Sequence, residues 1–168
     1  INDGEIFNRS AIISAAKVIT KLFQDEGYAF SKTSLSVKSE KDSDLLKVIL
    51  DLKQDAKIYI DRINIEGNHR TQDNVIRREL NLLEGAIYSK TDLNDSIRSI
   101  KKLGYFSDVS YDIQRHAENN DKIDLLISVT EQKTGEISLG LSHSNATGAS
   151  VTAGISQNNI LGTGNTLD

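Results

Sequence analysis

The sequence predicts an α+β chain: two tandem β-α-α-β-β modules, the first incomplete, followed by a β-hairpin of a different kind. Three observations carry this reading. Along residues 1–131 the apolar positions alternate between helical spacing and a two-residue period. The pattern also repeats: Gly4-Glu5-Ile6-Phe7 matches Gly85-Ala86-Ile87-Tyr88, Gly27-Tyr28-Ala29-Phe30 matches Gly104-Tyr105-Phe106, and Leu46–Leu52 matches Ile123–Val129. From residue 135 the rhythm changes to strict alternation of apolar with small or polar residues.

The elements follow in order. Ser10–Glu26 sets Ala11, Ala15, Val18, Ile19 and Leu22 at helical spacing, which predicts a helix with that face inward, and Gly27 ends it. Ser34–Lys38 and Leu45–Lys53 read as strands around a charged turn, Ser39–Asp44. The second, with Leu46, Val48, Leu50 and Leu52 on one face and Ile49 on the other, is apolar enough for the middle of a sheet. The second module opens with a strand in which Ile58 and Ile60 share one parity and Ile63 and Ile65 the other, so a bulge or joint is expected at Asp61-Arg62.

Thr71 is the expected N-cap of a helix carrying Val75, Ile76, Leu80 and Leu83 inward. Ser89-Lys90-Thr91-Asp92 resembles a capping box for a second helix that buries Leu93, Ile97, Ile100 and Leu103. Two strands close the module, one with Val109, Tyr111 and Ile113 on a face, the other with Ile123, Leu125, Ile127 and Val129. Gly67, Gly85 and Gly104 stand at element ends, where tight or left-handed turns are expected, so their role is structural. Beyond Gly135, Ile137, Leu139 and Leu141 pair by pattern with Val151, Ala153 and Ile155 across the turn Asn145–Ala149. Such a pair fits the opening hairpin of a transmembrane β-barrel, one face to lipid and one to the lumen, as well as an ordinary amphipathic hairpin.

Composition narrows the function. Twenty Lys+Arg against 24 Asp+Glu give a net charge of −4, so nothing favours nucleic-acid binding. No apolar run reaches transmembrane-helix length. The absence of cysteine excludes disulfides, thiolate zinc sites and cysteine nucleophiles without fixing the compartment. The chain begins at Ile1 without a signal peptide and reads as a piece of a longer protein. His69, His116 and His143 are scattered over a turn, a loop and a strand. Gly162-Thr163-Gly164 lacks the third glycine of a dinucleotide fingerprint. No catalytic, cofactor-binding or metal-ligating set is therefore expected. An enzyme or small-molecule binder on these modules would need a pocket with converging polar groups.

At this point a resemblance enters. Arg62–Thr71, Val75-Ile76-Arg77-Arg78-Glu79-Leu80, Glu84-Gly85, Leu103-Gly104-Tyr105-Phe106 and Val129-Thr130-Glu131 resemble the POTRA (polypeptide-transport-associated) family. The tail Ser156–Gly164 resembles the first periplasmic turn of the barrel in outer-membrane β-barrel assembly factors. The resemblance implies three-stranded sheets covered by two helices. It places most of the penultimate module at residues 1–54, without its first strand and first helix, the last module at 57–132 and the first barrel hairpin at 135–168. It implies a non-enzymatic scaffold on the periplasmic side of a Gram-negative outer membrane. Such a scaffold binds unfolded outer-membrane proteins and accessory lipoproteins of the assembly complex. A related translocation or two-partner secretion transporter is the alternative.

Two surfaces are expected to carry this. The segment Ser107–Gln114, with Val109, Tyr111 and Ile113, has the alternation and low charge of an edge that accepts a guest strand. Arg77, Arg78 and Glu84 form an outward charged set at the end of a helix, where the resemblance places the lipoprotein contact. Glu84→Lys is expected to weaken that contact without changing thermal melting. Outside a membrane, residues 135–168 are expected either to lack fixed structure or to pair with another chain.

Overall fold

The structure is a computed structural model and describes residues 7–39, 46–116, 119–144 and 148–167. Its order is α1 (Arg9–Asp25), β1 (Lys32–Ser39), β2 (Leu46–Lys53), β3 (Tyr59–Glu66), α2 (Asp73–Arg77), α3 (Lys90–Lys102), β4 (Phe106–Arg115), β5 (Lys122–Glu131), β6 (Gly135–Ser144), β7 (Gly148–Ile160) and β8 (Asn165–Leu167). The strands form three sheets, ordered β1-β2, β3-β5-β4 and β6-β7-β8. The chain divides into two compact units. One comprises Ile1–Ile63, Leu82–Asn94 and Ile113–Leu125, the other Asn64–Asn81, Asp95–Asp112 and Leu126–Asp168.

In the first unit α1 starts where Asn8 accepts the Ala11 N–H at 3.1 Å. Its covered side differs from the expected one. Ile12 is buried, whereas Val18 and Leu22 are 58% and 60% exposed, and Ala11 is exposed too. Adjacent Ile12 and Ile13 let two stripes one position apart satisfy the same period, and packing selected the one through Ile12 and Ile19. β1 and β2 pair antiparallel, Leu35 opposite Leu50. β2 is not central, because among the described residues β1 is its sole partner, and Leu46 and Leu50 stay 45% and 37% exposed. The charged turn expected over 39–44 falls largely outside the described residues.

Burial in β3 changes parity as anticipated, with Ile58, Ile60 and Ile63 all inside. The outer edge of β3 is occupied by residues 85–88. Ile60 N–H donates to Ala86 O, Gly85 N–H to Ile60 O and Tyr88 N–H to Ile58 O. Ser89 caps α3 as expected, accepting the Asp92 N–H at 3.2 Å. Asp25, the last residue of α1, adds a carboxylate there, accepting from Thr91 N–H and Oγ1 at 2.7 Å each. An anion at a helix N-terminus complements its dipole. The unit's core is Ile58, Ile60, Tyr88, Leu93, Ile123 and Leu125.

In the second unit α2 has only five residues, and its N-cap position is Gln72 rather than Thr71. Val75 and Ile76 are buried as expected; past the helix, in residues that belong to the first unit, Leu83 is 71% exposed and Leu82 is buried in its place. Gly67 has φ +86°, and a side chain there would collide with the Val129 carbonyl oxygen. Residues 135–144 and 148–160 form two strands. β6 and β7 pair antiparallel in strict register, Ile137 opposite Ile155, Leu139 opposite Ala153 and Leu141 opposite Val151. The turn between them, 145–147, lies outside the described residues. One face of the hairpin is an exposed apolar stripe, 74–85% at Leu139, Leu141 and Val151, and the other is Ser, Gly, Thr and Glu.

Candidate functional site

β4 lies at one edge of its sheet, with β5 beside it. Val109 is buried, Tyr111 and Ile113 are half-buried, and Asp108, Ser110, Asp112 and Gln114 are exposed. This is the alternation of a strand with one face on a core. The contrast with β3 is physical: residues 85–88 occupy the outer edge of β3, whereas no further strand lies outside β4 among the described residues.

The charged residues expected to meet a partner each have local bonds. Arg77, exposed on α2, pairs with Asp73 at 2.8 Å one turn earlier. Arg78 is exposed, lies 3.5 Å from Glu79, and its guanidinium rests against Gly164. Glu84 accepts the Ile63 N–H at 2.9 Å. That bond corrects one expectation. Lysine at position 84 would remove an acceptor from the backbone of β3, so Glu84→Lys lowers stability as well as altering surface charge.

The turn after β7 is fastened to other parts of the second unit, its own. Asn159 donates to Thr71 Oγ1 and accepts the Gly164 N–H, both at 2.8 Å. Gln72 N–H donates to Gly162 O at 2.9 Å, and the Tyr105 hydroxyl to Gly164 O at 3.1 Å. A side chain at Gly162 would collide with the Arg70 carbonyl oxygen, so the backbones approach as closely as they do only because residue 162 is glycine. Thr71, the expected cap, is 3% exposed and serves this joint instead. Glu131 organises it: its carboxylate accepts the Thr71 N–H at 2.7 Å and the Arg70 N–H at 3.0 and 3.1 Å. Burial alone would raise the Glu131 pKa, but the bonds from Thr71 and Arg70 outweigh it and hold the carboxyl below its ordinary value. The run Asn158-Asn159…Gly162-Thr163-Gly164 reads only as a turn; its docking depends on residues some ninety positions earlier.

One cluster was not foreseen. Asp61 on β3 and Asp124 on β5 converge on His116, which directly follows β4. Lys122 bonds Asp61 at 2.7 Å, and that bond lowers the aspartate pKa and raises the lysine's. Sequence reasoning missed it because the contributors are remote in the chain. The signal available was the phase of each strand, since Asp61, Lys122 and Asp124 alternate with the buried Ile60, Ile123 and Leu125.

Comparison with known proteins places this geometry. Residues 58–132 match the POTRA family, described as "Surface antigen variable number repeat". The chain is 34% identical over 161 residues, 96% of its length, to the outer membrane protein assembly factor BamA of Neisseria meningitidis serogroup B, and spans about a fifth (20%) of that relative. It superimposes over 99% of its length, with TM-score 0.90 and 26% identity, on 31% of the crystallised BamA from Haemophilus ducreyi lacking POTRA domains 1–3. Haemophilus influenzae BamA POTRA3-5 has the same fold over 78% of the chain and 52% of its own, with TM-score 0.72 and 21% identity. Residues 58–132 thus match the POTRA family, in a chain that is similar over nearly its whole length to part of BamA outer membrane protein assembly factors.

Proposed function

We propose that this chain is the membrane-proximal periplasmic region of an outer-membrane β-barrel assembly factor. Residues 1–54 are then the later part of one POTRA module, 57–132 the last module, and 135–168 the first hairpin of the barrel. The region works as a non-enzymatic scaffold. It receives unfolded outer-membrane proteins as guest strands along β4 and holds an accessory lipoprotein, BamD-like, near Arg77, Arg78 and Glu84. The observation that carries the first role is the asymmetry of the three-stranded sheet, one outer edge occupied by residues 85–88 and the other formed by β4. Backbone pairing supplies affinity in such augmentation, and alternate side chains such as Tyr111 and Ile113 supply selectivity. The apolar stripe Ile137, Leu139, Leu141, Val151 supports a lipid-facing assignment for one side of the hairpin.

The test is an NMR titration of the 168-residue chain with a peptide from the last strand of an outer-membrane protein. Amide shifts and slowed exchange are expected over residues 107–114. Perturbation confined to other elements would remove β4 from this role. For the lipoprotein contact, the double change Arg77→Ala and Arg78→Ala should weaken capture of the purified lipoprotein with little change in melting temperature, because both ion pairs are exposed. Depletion of the full-length protein in cells should arrest many outer-membrane proteins; arrest of one secreted partner alone would favour the transporter alternative.

A further inference from the structure

The face of the β3-β5-β4 sheet opposite its buried isoleucines and leucines gathers ligands from three strands. Asp61 lies on β3, Asp124 on β5, and His116 directly after β4, held there by its N–H bond to Lys122 O at 3.3 Å. His116 Nε2 stands 3.0 Å from Asp124 Oδ1 and 3.8 Å from Asp61 Oδ2. One donor atom from each of the three lies within 4.8 Å of the others. His116 Nε2 and Asp124 Oδ1 are both shielded from solvent, and neither has a hydrogen-bond partner among the described residues. Two such groups at this distance are held together by a shared cation, either a proton on Nε2 or a metal ion that takes an electron pair from each.

We propose that Asp61, His116 and Asp124 form a binding site for a divalent transition-metal ion of the zinc type. With metal–ligand bonds of about 2.0–2.2 Å, neighbouring ligand atoms of a tetrahedral site stand about 3.3–3.5 Å apart. The observed 3.0 and 3.8 Å lie on either side of that spacing, so small side-chain movements close the site. The imidazole selects zinc-like ions over calcium or magnesium, which favour all-oxygen sets. Three protein ligands leave a fourth position for water or an incoming group. Lys122 engages the other Asp61 oxygen. Its positive charge opposes the metal, so the site binds weakly and exchanges readily. A bound ion would tie β3, β5 and the end of β4 together, stabilising the folded chain by mass action.

The test is calorimetric titration of the untagged 168-residue chain with ZnCl2 in a non-coordinating buffer, paralleled by visible absorption with CoCl2. One ion per chain is expected, with a cobalt spectrum of low coordination number and a raised melting temperature. His116→Ala, and independently His116→Asn and Asp124→Asn, should each weaken binding at least about tenfold. Lys122→Met should tighten it several-fold, a gain that a merely misfolded variant cannot produce. His69→Ala and His143→Ala should leave it unchanged. Absence of zinc binding by the wild-type chain overturns the proposal, as does undiminished binding by the His116 variants. So does a cobalt spectrum of six oxygen ligands alone.

Discussion

Removing the Glu131 carboxylate tests how firmly one side chain holds Thr71, the residue to which Asn159 of the following segment bonds. Its oxygens accept from Thr71 N–H at 2.7 Å and from Arg70 N–H at 3.0 and 3.1 Å. A charge-assisted hydrogen bond contributes about 1.5–3 kcal/mol, and an unsatisfied buried donor costs about 1–3 kcal/mol. The Arg70 side is solvent-facing and counts for little. Glu131→Ala leaves the Thr71 N–H, in a residue 3% exposed, without its acceptor, so the expected loss is about 2 kcal/mol. At about 2–4 °C per kcal/mol for a chain of this size, the melting temperature falls by roughly 4–8 °C. Glu131→Gln keeps one acceptor but no charge and should lose about half as much.

Acid distinguishes the charge from the shape. The native Glu131 pKa is depressed, so its contribution is complete above the unfolded carboxylate pKa of about 4.3 and disappears as pH falls through the lower native value. Urea unfolding of wild type and Glu131→Gln at a series of pH values should give a gap that is constant near neutrality and closes in acid. A gap of zero at pH 7, or one that persists unchanged at pH 2, would refute this account of the joint.

Other perturbations separate the parts. Gly67→Ala should cost about 3 kcal/mol, because left-handed strain adds to a collision with the Val129 carbonyl, whereas Gly85→Val, in open space, should cost about 1–2 kcal/mol; chemical denaturation ranks them. Asn159→Ala removes the bond to Thr71 and the acceptor for Gly164 N–H, so hydrogen exchange at Gly164 should accelerate at least about tenfold while the amide of buried Ile123 stays protected. Leu139→Asp, at a side chain 80% exposed, should leave melting within about 0.5 kcal/mol of wild type yet reduce binding to detergent micelles.

What could be read without coordinates was whatever depends on local period and local chemistry. The capping serine of α3, the parity change across β3, the positive-φ glycines 67, 85 and 104 and the alternation of β6 and β7 all follow from near neighbours in sequence. So did the family, since its motifs are short and contiguous. Errors arose where two local solutions were equally good. α1 offered two apolar stripes one residue apart, and α2 gave way to the extended pairing of residues 85–88 with β3.

Sequence alone therefore determined the α+β class, the order of elements and the relationship to assembly factors. Tertiary structure decided which face of α1 is covered, that Thr71 serves Glu131 and Asn159 rather than a helix cap, and that Glu84 supports a strand backbone. It alone brought His116 to Asp61 and Asp124. The reason is range. Periodicity and capping act over a few residues, whereas these contacts join positions tens of residues apart, and only the packed sheet and the docked turn hold them within bonding distance.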